Sequence, residues 1–169
     1  MSDVSLREMS RESLGAVLDL SVAPEQTRFV AGNAQSIAEA HFQPKAWFRA
    51  VYAGEEPVGF VMLYDDPDVP RYFLWRFMIA AEHQGKGYGK AALDRLVEYV
   101  RTRPNATELQ ASYVPGDGGP GPFYGKYGFA ETGEVMHGEN VISLALRTTN
   151  QEADVSVRDM PVPGTDMFR

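Results

Sequence analysis

The chain has 169 residues, with 23 Asp or Glu and 16 Lys or Arg, so its formal net charge is −7 (16 − 23). This length fits one ordinary domain, and the 44% of hydrophobic residues are enough to bury a core. The lack of cysteine excludes disulfides, thiolate metal sites and a cysteine nucleophile. The acidic balance argues against binding to a nucleic-acid backbone and is compatible with a cationic substrate.

The sequence also lacks the signals of a membrane or exported protein. No stretch approaches the roughly 18 apolar residues that a membrane helix needs, and the first residues lack the basic and apolar regions of a signal peptide. We therefore expect a cytoplasmic protein that does not bind a membrane. His41, His83 and His137 have no metal-ligand spacing, so no metal site is expected.

The first half of the chain predicts two helices placed between a strand and a hairpin. Alternation predicts a strand at 4–7, and apolar residues at helical spacing predict a helix at about 11–20. Asn33 is predicted to cap a second helix, which Pro44 closes. Two strands at 47–53 and 58–64 then form the hairpin, followed by a loop with three carboxylates, Asp65, Asp66 and Asp68.

The second half of the chain predicts the centre of a sheet. Residues 71–79 form the most apolar stretch, with so little alternation that we expect a strand buried on both faces. A glycine-rich loop, an amphipathic helix that stops before Pro104 and a strand at 109–114 follow. The remaining elements are a Gly/Pro-rich loop at 115–122, a short helix up to Tyr127, and hairpin strands at 130–136 and 141–146.

The domain boundary is predicted at the end of the last strand. Residues 1–146 are expected to form one folded domain, and residues 147–169, which have no periodicity, a C-terminal tail. Several tail residues are nevertheless apolar, namely Val155, Val157, Met160, Val162, Met167 and Phe168. This content suggests docking onto a neighbouring surface, with a second subunit of a homodimer as one option.

The glycine-rich loop at 84–90 lies between the buried strand and the amphipathic helix, where backbone N–H groups and the helix dipole can point at an anion. A dinucleotide fingerprint starting at Gly85 would need glycine at position 90, where Lys90 stands. A P-loop would need glycine at position 84 and Ser or Thr at position 91, where the chain has Gln84 and Ala91. The loop therefore matches neither of these nucleotide-binding motifs.

The loop does fit the pattern Q/R-x-x-G-x-G, from Gln84 to Gly89, and so resembles the pyrophosphate-binding signature of the GNAT superfamily of acetyl-CoA-dependent acyltransferases. Downstream, Tyr-Gly-Lys-Tyr-Gly-Phe at 124–129 is similar to that family's Y-x-x-x-G-F element. The resemblance covers residues 4–146 and is closest to bacterial diamine and polyamine acetyltransferases. It implies an α/β fold with a mixed, mostly antiparallel central sheet, splayed between strands 4 and 5, and helices on both faces.

The resemblance also implies an activity, the transfer of an acetyl group from acetyl-CoA to a primary amine by direct attack in a ternary complex. A polyamine or diamine is the best guess for that amine, and Tyr124 is the implied general acid. A packing role for this tyrosine is the alternative. The implied cofactor-binding residues are Phe77, Met78, Ile79, Gln84, Gly85, Lys86, Gly87, Tyr88, Gly89, Lys90 and Lys126. The lysines in this set are also compatible with plain solvated surface.

Departures from the family pattern leave part of the site undefined. Asp117 and Pro120 stand where relatives commonly have Asn and Ala, and neither Trp75 nor Arg76 supplies the fourth-strand carboxylate that polyamine-specific relatives often carry. No catalytic base is therefore predicted. The candidates for contacting the substrate are Glu25, Phe29, Glu39, Trp47, Asp65, Asp66, Asp68 and Trp75.

Two other functions remain open at this stage. One is an acetyltransferase for a different amine, such as an aminoglycoside, an amino acid or a protein N-terminus. The other is a non-catalytic module that binds acyl-CoA, and Tyr124 counts against it because a pure binder needs no acid. In each case a small molecule is the expected partner.

Overall fold

The computed structural model describes residues 3–146. They form one seven-stranded sheet with the strand order β1-β2-β3-β4-β5-β7-β6. The strands are β1 (Val4–Arg7), β2 (Ala46–Ala53), β3 (Glu56–Asp66), β4 (Arg71–Ile79), β5 (Glu108–Tyr113), β6 (Ala130–Met136) and β7 (Glu139–Ala145). The helices are α1 (Arg11–Leu18), α2 (Asn33–His41), α3 (Tyr88–Arg101) and α4 (Gly121–Tyr127), with single 3₁₀ turns at Pro24–Gln26 and Ala81–His83.

The contact between β4 and β5 divides this sheet. Every other neighbouring pair is antiparallel, whereas β4 and β5 run parallel and pair only through Phe73 with Gln110 and Leu74 with Ala111. Beyond Leu74 the two strands separate. This geometry confirms the predicted mixed sheet that splays between its fourth and fifth strands.

Helices cover both faces of the sheet because alternate side chains of the central strands point in opposite directions. On β3, Phe60 and Met62 pack with residues of α1 and α2, while Val61 and Leu63 pack with residues of α3. Most of β4 is buried, which confirms the central strand predicted from its apolar run.

One local prediction, the cap of α2, is corrected by a tertiary contact. Gly32, not Asn33, precedes the first turn of α2 as its cap. The predicted cap at Asn33 is wrong because its buried side chain donates a hydrogen bond to the carbonyl of Val17 (2.9 Å), in the last turn of α1. Carbonyls at a helix end lack partners within the helix, so this amide satisfies one of them.

Three elements also have an end that differs from the prediction by two residues. α1 ends at Leu18, two residues early, and β7 begins at Glu139, two residues before the predicted 141. β3 extends to Asp66, so Asp65 and Asp66 belong to a strand rather than to a loop. No helix within the described range is long and apolar enough to span a membrane. The predicted tail at 147–169 lies outside the described residues.

Candidate active site

A cleft of about 810 Å³ opens where β4 and β5 separate. Residues of β4 line one wall and residues 112–114 the other. The segment between α1 and α2, the glycine-rich loop, the Gly/Pro-rich loop, α4 and the turn between β6 and β7 also line the cleft. The volume lies within the range of ligand pockets. The predicted site residues that line it are Phe29, Trp75, Phe77, Met78, Ile79, Gln84, Gly85, Gly87, Tyr88, Gly89, Lys90, Tyr124 and Lys126. Glu25 and Lys86 do not.

The open edge of β4 forms the floor of this cleft. β3 pairs with one edge of β4, as Phe77 opposite Val61 shows, but β5 has left the other edge at this level. The register of β3 against β4 also shifts, because Met62 lies opposite Arg76 and Leu63 opposite Leu74. Trp75 is thus the extra residue of a bulge, a feature that redirects backbone and side chains and is frequent beside active sites.

The glycine-rich loop presents backbone to the cleft. Gly85 and Gly87 have φ of +76° and +83°, a left-handed conformation that residues with a Cβ rarely adopt. A Cβ built at either position meets no atom within 4 Å, so the space beside the loop is open. Gly87 provides no side-chain cap for α3, and the first turn of this 14-residue helix has no acidic residue. The positive end of the helix dipole is therefore suited to a phosphate.

Hydrogen bonds of polar side chains hold this loop in place. Gln84 donates from Nε2 to the carbonyl of Ile79 (2.9 Å) and to Oε1 of Gln26 (2.9 Å), and Gln26 donates back to Oε1 of Gln84 (3.1 Å). These bonds tie the end of β4 to the segment that covers the cleft. Lys90, whose side chain is 72% exposed, forms an ion pair with Asp94 (3.0 Å) one turn along α3. The side chain of Gln84 thus positions the loop.

Tyr124 lies in α4 and is only 6% exposed at the wall of the cleft. The rings of Tyr113, Phe123 and Phe129 surround it at centroid distances of 5.3–6.5 Å. Its hydroxyl makes no hydrogen bond to another described residue. Burial and the nearby charge of Glu139 raise its pKa, so the phenol holds its proton at neutral pH.

Glu139 is a cleft residue that the sequence analysis missed. It is half-buried at the start of β7 and, of the carboxylates in residues 3–146, it alone lines the cleft. Ser112 donates to Oε2 of Glu139 (3.4 Å). Burial raises the pKa of Glu139, whereas Arg76, Ser112 and His137 act in the opposite direction. In the sequence this glutamate follows a hairpin turn, so only the pairing of β5 with β7 reveals its place.

Glu39, a candidate for binding a cation, already has a partner. It forms an ion pair with Arg76 (3.1 Å), and both side chains are only 10% exposed. It also accepts a hydrogen bond from Gln35 Nε2 (2.9 Å). Glu39 therefore neutralises the arginine of β4 and does not line the cleft.

Apart from Trp75, the other predicted cation-binding residues lie outside the cleft as well. Asp65 binds Arg103 (2.9 Å), and Lys45 binds both Asp66 (3.3 Å) and Asp68 (2.8 Å). Trp47 stacks on a tyrosine of α3 with ring centroids 4.4 Å apart. These contacts hold elements of the fold together. Glu25 is exposed on the 3₁₀ turn.

The Gly/Pro-rich loop contacts the segment that covers the cleft. Arg28 donates to the carbonyl of Asp117 (3.0 Å), and a Cβ at Gly119 would come within 2.9 Å of the ring of Phe29. Asp117 thus contributes backbone to this contact, while Pro120 lines the cleft. No cluster of His, Asp or Glu suited to a metal ion occurs in the part of the chain that the structure describes.

Known proteins resemble the chain in sequence and in fold. The model of the acetyltransferase (GNAT) family matches residues 8–129. The spermine/spermidine N(1)-acetyltransferase of Bacillus subtilis (strain 168) is 25% identical over 154 residues, which cover 85% of this chain and 99% of that protein.

Two solved structures illustrate the similarity of fold. An acetyltransferase from Thermus thermophilus aligns with a TM-score of 0.68 at 19% identity, covering 86% of this chain and 100% of that one. The spermidine N-acetyltransferase from Vibrio cholerae, in complex with CoA and spermine, aligns with a TM-score of 0.64 at 17% identity, covering 85% and 95%. Since the family model spans well over half of the sequence, the protein belongs to the GNAT family of acetyltransferases.

Proposed function

We propose that the protein transfers the acetyl group of acetyl-CoA to a primary amine, which attacks directly in a ternary complex. The cleft carries this proposal because it joins three features in one space. These are an uncapped helix N-terminus behind two left-handed glycines, an open strand edge, and a buried tyrosine hydroxyl. Acetyl-CoA supplies the activated acetyl group and a thiolate as leaving group.

The residues that line the cleft fit the parts of acetyl-CoA. Backbone N–H groups of 85–90 would bind the pyrophosphate, and the open edge of β4 at Phe77 and Met78 would pair with the extended pantetheine arm. Lys90 and Lys126 also line the cleft and would supply cations to the phosphates. Lys86 has weaker support because it lies outside the lining.

Tyr124 is the proposed general acid. Its raised pKa keeps the phenol protonated, and its hydroxyl has no competing hydrogen bond from the described residues. The surrounding aromatic rings exclude water, which strengthens interactions with a developing charge. Tyr124 would give its proton to the sulfur as that atom leaves.

Polyamines and diamines are the proposed amine acceptors. Two observations support them: the curated relative named above is a spermine/spermidine acetyltransferase, and the net charge of −7 attracts cations. A monoamine, such as an amino acid or the N-terminus of a protein, is the second candidate. The single carboxylate that lines the cleft within the described residues favours it, because Glu139 can anchor only one ammonium group.

Release of free thiol from acetyl-CoA over a panel of amines tests the function. Putrescine and butylamine form a matched pair, since they share a four-carbon chain and differ by one ammonium. A polyamine enzyme should prefer putrescine and spermidine, whereas a monoamine enzyme should use butylamine or an amino acid at least as well. Acetyl-CoA binding without thiol release for any amine would contradict the proposal and indicate a non-catalytic binding module.

A further inference from the structure

The proposed reaction needs a group that removes a proton from the amine. Alkylamines resemble the lysine side chain, whose pKa is about 10.4, so only about one molecule in a thousand is unprotonated at neutral pH. Nitrogen can attack only through the lone pair that this proton occupies. On β4, the bulge positions carry Trp75 and Arg76, neither of which can serve as the acceptor.

We infer that Glu139 binds the reacting ammonium group and accepts its proton, an inference that rests on the proposed function. Glu139 lies at the start of β7, which pairs with β5, and it lines the cleft, where Ser112 of β5 donates a hydrogen bond to its carboxylate. Its charge acts on Tyr124 and on Arg76, which belong to different walls of that cleft. An ammonium held by Glu139 would thus lie in the same space as the proposed acid.

The surroundings of Glu139 suit a base. Burial disfavours its charged form and makes the carboxylate a stronger proton acceptor. Arg76 on β4, Ser112 on β5 and His137 in the preceding turn favour the charged form, while Tyr124 on α4 faces it as a neutral phenol. Arg76 also forms an ion pair with Glu39, so two carboxylates share its positive charge.

The proposed proton transfers balance. One N–H bond of the ammonium breaks, its proton moves to a carboxylate oxygen of Glu139, and the electron pair stays on nitrogen. After nitrogen has attacked, it loses a second proton, which replaces the one that Tyr124 gives to sulfur. The net result is one proton on Glu139, which returns to water.

Glu139→Gln tests the inference because it removes the charge and keeps the shape. We expect the variant to bind acetyl-CoA as the wild type does, so acetyl-CoA should raise the Tm of both proteins by the same amount. With the preferred amine of the panel, kcat/KM at pH 7 should fall by about 10²- to 10⁴-fold, the range for a positioned proton acceptor. Glu134→Gln on β6 is the matched control, since Glu134 is exposed and outside the cleft lining, and it should behave like the wild type.

The pH profile separates a base from a residue that only shapes the cleft. Without Glu139 only amine that is already unprotonated can react, so kcat/KM should rise about tenfold per pH unit up to the amine's pKa. The wild type should instead show a plateau below that pKa. Glu139→Asp keeps a carboxylate and should therefore show the plateau again, at an intermediate kcat/KM. If the Gln variant does not fold, the pH profile of Glu139→Asp shows whether the carboxylate is the proton acceptor.

Two results would overturn the inference. Wild-type kcat/KM with a plateau in Glu139→Gln would show that another group takes the proton. A tenfold-per-unit slope in a folded Glu139→Asp would show that the carboxylate is not the acceptor. Failure of the proposed function itself looks different, because the wild type would then release no thiol with any amine.

Discussion

Substitution of Gly87 by glutamate offers a direct test of the proposed anion site at the N-terminus of α3, and Gly54 provides a matched control. Gly54 lies in the turn between β2 and β3 and, like Gly87, has a positive φ (+61° against +83°). A Cβ meets no atom within 4 Å at either position. Both substitutions should therefore cost similar backbone strain, about 1–2 kcal/mol. Only Gly87→Glu places a carboxylate beside the cleft.

The expected difference between these variants can be worked out for acetyl-CoA binding. Ligand at about 100 times its dissociation constant adds about 2.7 kcal/mol to the free energy of unfolding. For a domain of this size, that gain raises Tm by about 5–10 °C. In thermal denaturation with and without acetyl-CoA, Gly54→Glu should keep this shift and Gly87→Glu should lose it, because like charges repel. A wild-type shift in Gly87→Glu would refute the phosphate-binding role of the loop.

Four further predictions concern Tyr124, the buried ion pair and the tail. Tyr124→Phe should lower kcat by about 10²- to 10⁴-fold while the acetyl-CoA shift in Tm persists, and unchanged turnover would assign this ring to packing alone. Because the folded state raises the pKa of Tyr124, its neutral form stabilises the protein below about pH 10, and Tyr124→Phe should remove the extra loss of stability that the wild type shows above that pH. Glu39→Gln leaves Arg76 without its carboxylate partner and should lower the free energy of unfolding in urea by about 3–5 kcal/mol. A loss below about 1 kcal/mol would mean that the pair is solvated in solution. Truncation after Leu146 should preserve acetyl-CoA binding and turnover and change at most the oligomeric state or Tm. A truncated protein with unchanged mass in light scattering but without activity would place the tail in the substrate site.

The centre of the fold and the position of the glycine-rich loop before α3 could be predicted from the sequence because their signals are local. The apolar run of β4 and the apolar stripe of α3 each lie within one element. Residue spacing alone excluded the dinucleotide fingerprint, at Lys90, and the P-loop, at Gln84 and Ala91. The family resemblance then implied the splay between β4 and β5, which residue patterns by themselves do not show.

The missed features depend on contacts between distant parts of the chain. Asn is a residue type that often caps a helix, but the side chain of Asn33 donates a hydrogen bond to Val17 of α1, 16 residues earlier. Asp65 looked like an exposed loop carboxylate, yet it pairs with Arg103, 38 residues later. Glu139 reaches the cleft only because β7 pairs with β5. The chemical type of each residue could therefore be read from the sequence. Which residue pairs with each charge, and whether that charge faces the cleft, could not.

The claim that the cleft catalyses acetyl transfer to an amine is tested most directly by measuring both products of one reaction. Wild-type protein is incubated with acetyl-CoA and the preferred amine, and the free thiol and the N-acetylated amine are quantified together. The two should form in equal amounts, and both should depend on protein and on amine. Thiol release without amine, or no acetylated amine above the rate without protein, would contradict the proposed activity.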